Sequence, residues 1–242
     1  MSMVWRGTVR YQWRPMCLVD VVLSSTNLAF FALHMPAADN SSDHRRRLLD
    51  AMADAVAHKG YADTTIADLA ARARVSRRTF YEHFSSKEEC LIALYEAASR
   101  QALSVLREAI DPEHDPLTQA EQAMRAYLST MASNPVLLKT LFIAILGLGS
   151  AGLQARRGVN QQLADLILEL INRPGEKKRK PLPPALAMSI VGGINELVLQ
   201  MIEQDRITEL TTLADTTAQF VRAVVDGVRS QGHCCHRTPR PP

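Results

Sequence analysis

The chain contains 242 residues, of which 47% are hydrophobic, 22% charged and 5% aromatic. This balance is typical of a soluble globular protein and excludes a disordered chain, a collagen and a membrane protein with several spans. The 28 basic residues exceed the 25 acidic ones by only three, so any nucleic-acid-binding surface must be local. Because aromatic residues are few and alanine, leucine and arginine abound, we expect an all-α protein.

Residues 1–42 form an extension that precedes the first regular pattern. Three arginines stand before a moderately apolar run over residues 16–33, which is the order found in a signal peptide. Asp20 and the polar residues 24–27 interrupt this run, and it falls short of an uninterrupted span of about 20 residues. We therefore predict a poorly ordered extension, or a true start at Met35, and no membrane partner.

The first helical pattern begins at Asp43 and ends near Gly60. Leu49, Met52 and Val56 recur at offsets of three and four, which places them on one stripe. The basic residues 44–47 crowd the start of this helix, where cations oppose the helix dipole. This run indicates a nearby anion such as a phosphate, and a solvated basic turn is the alternative.

Two short helices follow, separated by a tight turn. Thr65 and Asp68 have the spacing of a capping box at the start of the second helix, and Ser76 can cap the third. Phe80 and Phe84 lie four residues apart and are predicted to face the core. The opposite side is cation-rich, since residues 72–78 hold four arginines. Such a helix has the geometry to enter a DNA major groove, where arginine pairs with guanine or phosphate.

The segment from Thr65 to Leu91 resembles the N-terminal DNA-binding domain of TetR/AcrR-type transcriptional regulators. The resemblance is close over residues 43–95 and extends to the rest of the chain in architecture. It implies a three-helix helix-turn-helix domain at 43–90 and a helical ligand-binding and dimerisation domain at 91–230. Residues 231–242 are expected to form a disordered tail.

The resemblance also implies which residues contact DNA. The hydroxyl of Thr65 would bind a phosphate at a helix N-terminus, and Lys87, behind a capping box of Ser86 and Glu89, would clamp another. The start of the third helix would touch bases or phosphates, and two later residues would touch the backbone. With the basic run included, the predicted DNA contacts are Arg45, Arg46, Thr65, Ser76, Arg77, Arg78, Thr79, Tyr81, His83 and Lys87.

Two arginines depart from the family pattern. Many members have glycine at the position of Arg74, because this turn often takes a positive φ. Either the turn differs here, or a cost of about 1 kcal/mol is tolerated. Many members also have a small residue at Arg78, so its guanidinium is expected to change base preference or to add a phosphate contact.

Six further helices are predicted over residues 87–110, 116–133, 135–148, 153–173, 185–204 and 208–229. The basic run at 176–180 is interpreted as an exposed loop and not as a second phosphate site. In this family the last two helices pair with their copies in a second subunit, which makes a homodimer. The predicted interface residues are Gly192, Gly193, Leu197, Met201, Phe220 and Val224. The two glycines would allow a neighbouring backbone to approach.

In this family a small effector binds among the helices between the DNA-binding head and the dimer interface. The candidate lining here is Tyr95, Met124, Tyr127, Phe142 and Leu146. Because these side chains are apolar or aromatic, the ligand would be largely apolar; ordinary packed core is the alternative. A two-fold dimer would read a pseudo-palindromic double-stranded operator, most often as a cytoplasmic repressor.

Other functions find little support in the sequence. Gly147, Gly149 and Gly152 have the spacing of a dinucleotide fingerprint but follow a helical pattern without a strand, so they are expected to end a helix. The segment 233–236 holds two histidines and two adjacent cysteines, but it lacks the spaced pairs of a zinc site. With Cys17 and Cys90, these irregularly placed cysteines indicate a reducing setting. We predict no enzyme, cofactor or metal. An architectural or activating DNA-binding protein without ligand control is the alternative.

Overall fold

The computed structural model describes residues 40–111, 113–172 and 180–230. Within these ranges the chain forms helices joined by turns and contains no strand, which confirms the all-α prediction. Three sequence predictions concern segments outside the described residues. These segments are residues 1–39, residues 176–179 of the basic run and the tail at 231–242.

The described ranges hold the predicted helices in the predicted order. They are α1 (Asn40–Lys59), α2 (Ile66–Ala73), α3 (Arg77–His83), α4 (Lys87–Glu108), α5 (Pro116–Ala132), α6 (Pro135–Gly147), α7 (Gly149–Ile171), α8 (Pro184–Glu203), a 3-10 helix (Ile207–Thr212) and α9 (Leu213–Ser230).

Several helix ends differ from the sequence prediction by one or two residues, and three differences are larger. α1 starts three residues earlier, and the last predicted helix is divided into the 3-10 helix and α9. α7 starts at Gly149, so the expectation that Gly152 ends a helix is wrong. Gly152 is buried inside α7, where an added Cβ would collide with the carbonyl oxygen of Ile145. Its role is close packing between α6 and α7.

Helices α1 to α3 form the head around a small core. Leu48, Met52 and Leu69 are fully buried there together with Phe80, and Phe84 is 1% exposed. The sequence prediction that both phenylalanines face the core is therefore confirmed. Since α3 has only seven residues, this burial and not helix propensity stabilises it.

Helix α4 joins the head to the body. Its 22 residues span about 33 Å at 1.5 Å per residue. It packs against α1 as well as against α5 and α7. Leu103 and Leu106, near its C-terminal end, share an apolar cluster with Ala123 of α5 and Leu166 of α7. A displacement in the body would therefore reach the head through one continuous helix.

Helix α8 contributes to two apolar clusters of the body. Val198 and Met201 pack in one apolar cluster with α5 and the 3-10 helix, and Ile190 and Ile194 pack in another with α7 and α9. By length and composition α8 could cross a membrane, with a mean hydropathy of 1.6, but 44% of that window is buried inside the fold. Helices α5 and α6 pass the same test only as a pair, and they meet at 94°. Packing within the fold accounts for the buried side of α8.

Candidate nucleic-acid interface and apolar cavity

Helix α3 begins at a well-formed cap. Ser76 has extended backbone angles, and its Oγ accepts a hydrogen bond from the backbone N–H of Thr79 at 2.9 Å. The two hydroxyl oxygens of these residues also lie 2.9 Å apart. The cap fixes where α3 starts and holds both hydroxyls at its N-terminal end, where a phosphate oxygen could reach them.

The outer face of α3 is cationic and open to solvent. The Arg78 side chain is 90% exposed, and its Nε lies 3.2 Å from the carboxylate of Glu82. Arg77 is exposed, and Tyr81 is 57% exposed while its ring meets the buried ring of Phe80 edge-on. Burial of Phe80 therefore presents the three predicted contact residues on one accessible surface.

Thr65 forms the predicted capping box. Its Oγ1 accepts from the N–H of Asp68 at 3.2 Å, and its own N–H donates to the Asp68 carboxylate at 2.8 Å. Lys59 reaches the same carboxylate at 2.5 Å. The pKa of Asp68 is well below its usual range because Lys59 and Thr65 donate hydrogen bonds to it. The cap is confirmed, and the phosphate contact of Thr65 stays a prediction.

Lys87 is held within the protein at the start of α4. Its Nζ donates to the carbonyl oxygen of Tyr61 at 3.1 Å and lies 4.3 Å from the centre of the Tyr61 ring. The predicted capping box is only half correct. Ser86 Oγ accepts from the N–H of Glu89, but the Glu89 carboxylate accepts from the N–H and hydroxyl of Ser85.

The basic run in α1 is largely paired within the head. Arg46 donates to Asp43 at 2.6 Å and lies 3.4 Å from Asp50. The guanidinium of Arg45 lies 4.6 Å from the centre of the Phe84 ring. The rings of His44 and His83 meet edge-on at 6.2 Å. These contacts stabilise the run within the head, and the DNA contacts of Arg45 and Arg46 stay a prediction.

The turn between α2 and α3 keeps a left-handed conformation despite its arginine. Arg74 has φ 54° and ψ 47°, so the second of the two sequence alternatives, a tolerated strain, is correct. Arg47 of α1 donates to the carbonyl oxygens of Ala73 and Arg74, the latter at 3.0 Å. The sequence gives no signal for this contact, because its partners lie 26 and 27 residues away.

The four arginines of residues 72–78 do not act as one group. Arg72 forms an ion pair with Asp54, a half-buried residue of α1. This pair joins α2 to α1 and turns the Arg72 guanidinium toward the protein. Apart from Arg72, the exposed cations near the start of α3 are Arg74, Arg77 and Arg78.

An apolar cavity of about 60 Å³ lies in the body. Helices α4, α5, α7, α8 and α9 line it, and Asn195 is its one amide-bearing lining residue. Its lining is Leu106, Ala120, Ala123, Met124, Tyr127, Leu163, Leu166, Ile167, Leu170, Ile171, Val191, Ile194, Asn195 and Val221. The Asn195 side chain donates to Asn160 at 3.0 Å.

Only two of the five predicted ligand-binding residues line this cavity. Met124 and Tyr127 do, and burial raises the pKa of the Tyr127 hydroxyl. Tyr95 is buried but does not line the cavity. Phe142 packs against the apolar cluster that contains Val198 and Met201. Leu146 is 36% exposed. A helical apolar stripe cannot distinguish these positions, because several helices together define the cavity.

The predicted dimer residues divide into an outer and an inner set. Gly192 is exposed, Phe220 is 36% exposed and Leu197 is half-buried. Met201 is only 5% exposed and packs in the core of its own chain, and Val224 packs against another cluster of that core.

Gly193 has a close neighbour within its own chain. A Cβ at Gly193 would lie 3.1 Å from the Phe220 ring. The approach of a partner's backbone at this glycine stays a prediction.

Comparisons with known proteins agree with this geometry. A family model described as bacterial regulatory proteins of the tetR family matches residues 48–94, from α1 into α4. The HTH-type transcriptional regulator YxbF of Bacillus subtilis is 32% identical over 93 residues, which are 38% of this chain and 24% of that protein. This match thus spans about a quarter of that relative's length.

Two comparisons extend into the body. The fatty acid metabolism regulator protein of Bacillus subtilis is 23% identical over 192 residues, covering 76% of this chain and 95% of that protein. The crystal structure of the transcriptional regulator FadR from Bacillus subtilis in complex with stearoyl-CoA has a TM-score of 0.62 and 19% identity, covering 75% of this chain and 98% of that one. These relatives are regulators and not enzymes. With its capped α3 and its exposed cations, the head over residues 48–94 matches the tetR family of bacterial regulatory proteins, and the longer matches are to transcriptional regulators.

Proposed function

We propose that the protein is a homodimeric repressor that leaves a pseudo-palindromic operator when a largely apolar ligand enters its body. The observation that carries the proposal is the connection between two features. An exposed cationic helix and an apolar cavity are joined by the single helix α4, which contributes Leu106 to the cavity lining.

The DNA-reading part of the proposal rests on α3. Arg77 and Arg78 would approach base edges or phosphates, and Tyr81 and His83 would contact the backbone. Thr65 and Lys87 would bind phosphates on either side. One short helix reads few base pairs, so two heads related by a two-fold axis are needed to give specificity.

Two variants separate base reading from phosphate binding. Arg78→Ala should change the preferred operator sequence, whereas Lys87→Ala should weaken binding to all sequences and flatten its dependence on salt. Binding-site selection with each variant checks both expectations. An unchanged preference for Arg78→Ala, or a sequence-dependent loss for Lys87→Ala, would contradict these roles.

The dimer would form through α8 and α9. Gly192, Leu197 and Phe220 offer apolar or small surface on these two helices. Met201 and Val224 would support that surface from beneath. Aromatic anchors such as Phe220 carry a large share of the energy in protein interfaces.

The ligand would be a molecule with a long hydrocarbon part. The cavity lining is almost entirely apolar, and the related FadR structure holds stearoyl-CoA. At about 60 Å³ the cavity is far smaller than the roughly 300–1,000 Å³ of ordinary ligand sites. Binding would therefore have to spread the surrounding helices, including α4, and this displacement would separate the two reading heads.

Operator release is the direct test of the ligand. Fluorescence anisotropy of the protein on a selected operator should fall when stearoyl-CoA or free stearate is added, and coenzyme A alone should have no effect. Release by coenzyme A alone would show that the apolar cavity is not the effector site.

The second candidate is an architectural or activating DNA-binding protein without ligand control, which the small volume of the cavity favours. It predicts that neither acyl compound changes the melting temperature or the operator affinity. Either function places the protein with the DNA in the cytoplasm.

A further inference from the structure

Arg74 occupies a backbone position that suits glycine. At φ 54° and ψ 47°, a Cβ crowds the following carbonyl, and only glycine adopts these angles without cost. The turn is the usual C-terminal closure of a helix. The N–H of Arg74 donates to Ala71 at 3.1 Å, and the N–H of Val75 donates to Ala70 at 3.0 Å.

Arg47 of α1 holds this strained turn through hydrogen bonds. The guanidinium of Arg47 donates to the carbonyl oxygens of Ala73 and Arg74, which are free acceptors at the end of α2. Its positive charge also lies at the negative end of the helix dipole. A strained position that persists with such support indicates that its side chain has a use.

The Arg74 side chain is exposed and unpaired. Of the four arginines in residues 72–78, Arg72 pairs with Asp54 and Arg78 pairs with Glu82. Among the residues that the structure describes, neither Arg74 nor Arg77 has a side-chain partner. Arg74 lies two residues before Ser76, the cap of α3, so it stands where the turn meets the exposed face of that helix.

We propose that Arg74 is a DNA phosphate contact beside the groove that α3 enters, and that Arg47 positions it by clamping the left-handed turn. An exposed cation in the turn before a reading helix can reach the sugar-phosphate backbone that flanks the groove. The contact is therefore independent of DNA sequence. This inference uses only the DNA-binding activity, and it holds with or without the proposed ligand and dimer.

The test compares Arg74→Gly with Arg74→Gln. Both remove the charge, but only glycine relieves the turn, so its melting temperature should rise by about 2 °C while that of Arg74→Gln stays near wild type. At 150 mM salt each variant should lose about fivefold in DNA affinity per phosphate contact, equally on operator and unrelated DNA. The slope of log affinity against log salt should fall by about 0.9 per bound subunit.

Arg107→Gln is the matched control. It removes one exposed arginine from the body end of α4, about 30 Å along the helix from Lys87, and should leave the salt slope unchanged. The proposal is overturned if both Arg74 variants keep the wild-type slope and affinity. It is also overturned if Arg74→Gln, the less stable of the two variants, loses DNA affinity while Arg74→Gly does not. Absence of any DNA binding by the wild-type protein would refute the regulator function itself.

Discussion

Filling the cavity with Ala123→Val should stabilise the protein and abolish its ligand response. Ala123 is 1% exposed and lines the cavity of about 60 Å³. At about 24 cal/mol per Å³, complete filling would recover about 1.4 kcal/mol. Valine in a helix costs about 0.5 kcal/mol relative to alanine, so the net gain is about 1 kcal/mol, or about 2–4 °C in melting temperature.

The assay combines thermal unfolding with operator release. Ala123→Val should melt higher than wild type, keep its operator affinity, and remain on DNA at stearoyl-CoA concentrations that release the wild-type protein. Ala151→Val is the control, because Ala151 is exposed in α7 and carries the helix cost without filling anything. Unchanged release of Ala123→Val would refute the cavity as the ligand site, and a lower melting temperature would refute the filling argument.

Three further results are expected. Arg47→Ala should lower the free energy of unfolding in urea by about 2 kcal/mol, because charged hydrogen bonds to two carbonyls are lost. Adding Arg74→Gly to that variant should restore about 1 kcal/mol, because glycine relieves the left-handed turn. No restoration would contradict the role of Arg47 in holding the turn. Gly193→Leu should displace the Phe220 ring and shift sedimentation toward monomer, and an unchanged profile would refute this. Burial raises the pKa of the Cys90 thiol to about 12. The thiol therefore stays protonated in the fold while Cys90 of the unfolded chain ionises above about pH 8.5, so stability should fall above that pH. Rapid alkylation of Cys90 in the folded protein at about pH 8.5, located by peptide mapping, would argue against this.

The helices and caps of the head could be read from the sequence because their causes are local. Thr65 and Ser76 cap helices three residues away, and the spacing of Phe80 and Phe84 shows which side of α3 is buried. These features need only neighbouring residues and the helical period.

The contacts of Arg47 and the cavity could not be predicted from local sequence patterns. The partners of Arg47 lie 26 and 27 residues away, and no spacing rule selects them. Met201 and Leu197 both appear apolar in sequence, but only the packed body shows that Met201 is enclosed by its own chain. The cavity depends on the joint packing of five helices, so a single-helix stripe gave only Met124 and Tyr127 of its lining.

The central claim is that two copies of this head read one operator. Selection from random-sequence DNA with the full-length protein, followed by sedimentation of the complex, tests it most directly. The account predicts enriched sequences with two inverted half-sites at a fixed spacing of about one helical turn or a multiple of it, bound by an even number of subunits. Enrichment of a single half-site bound by one subunit, or no enrichment at all, would contradict it.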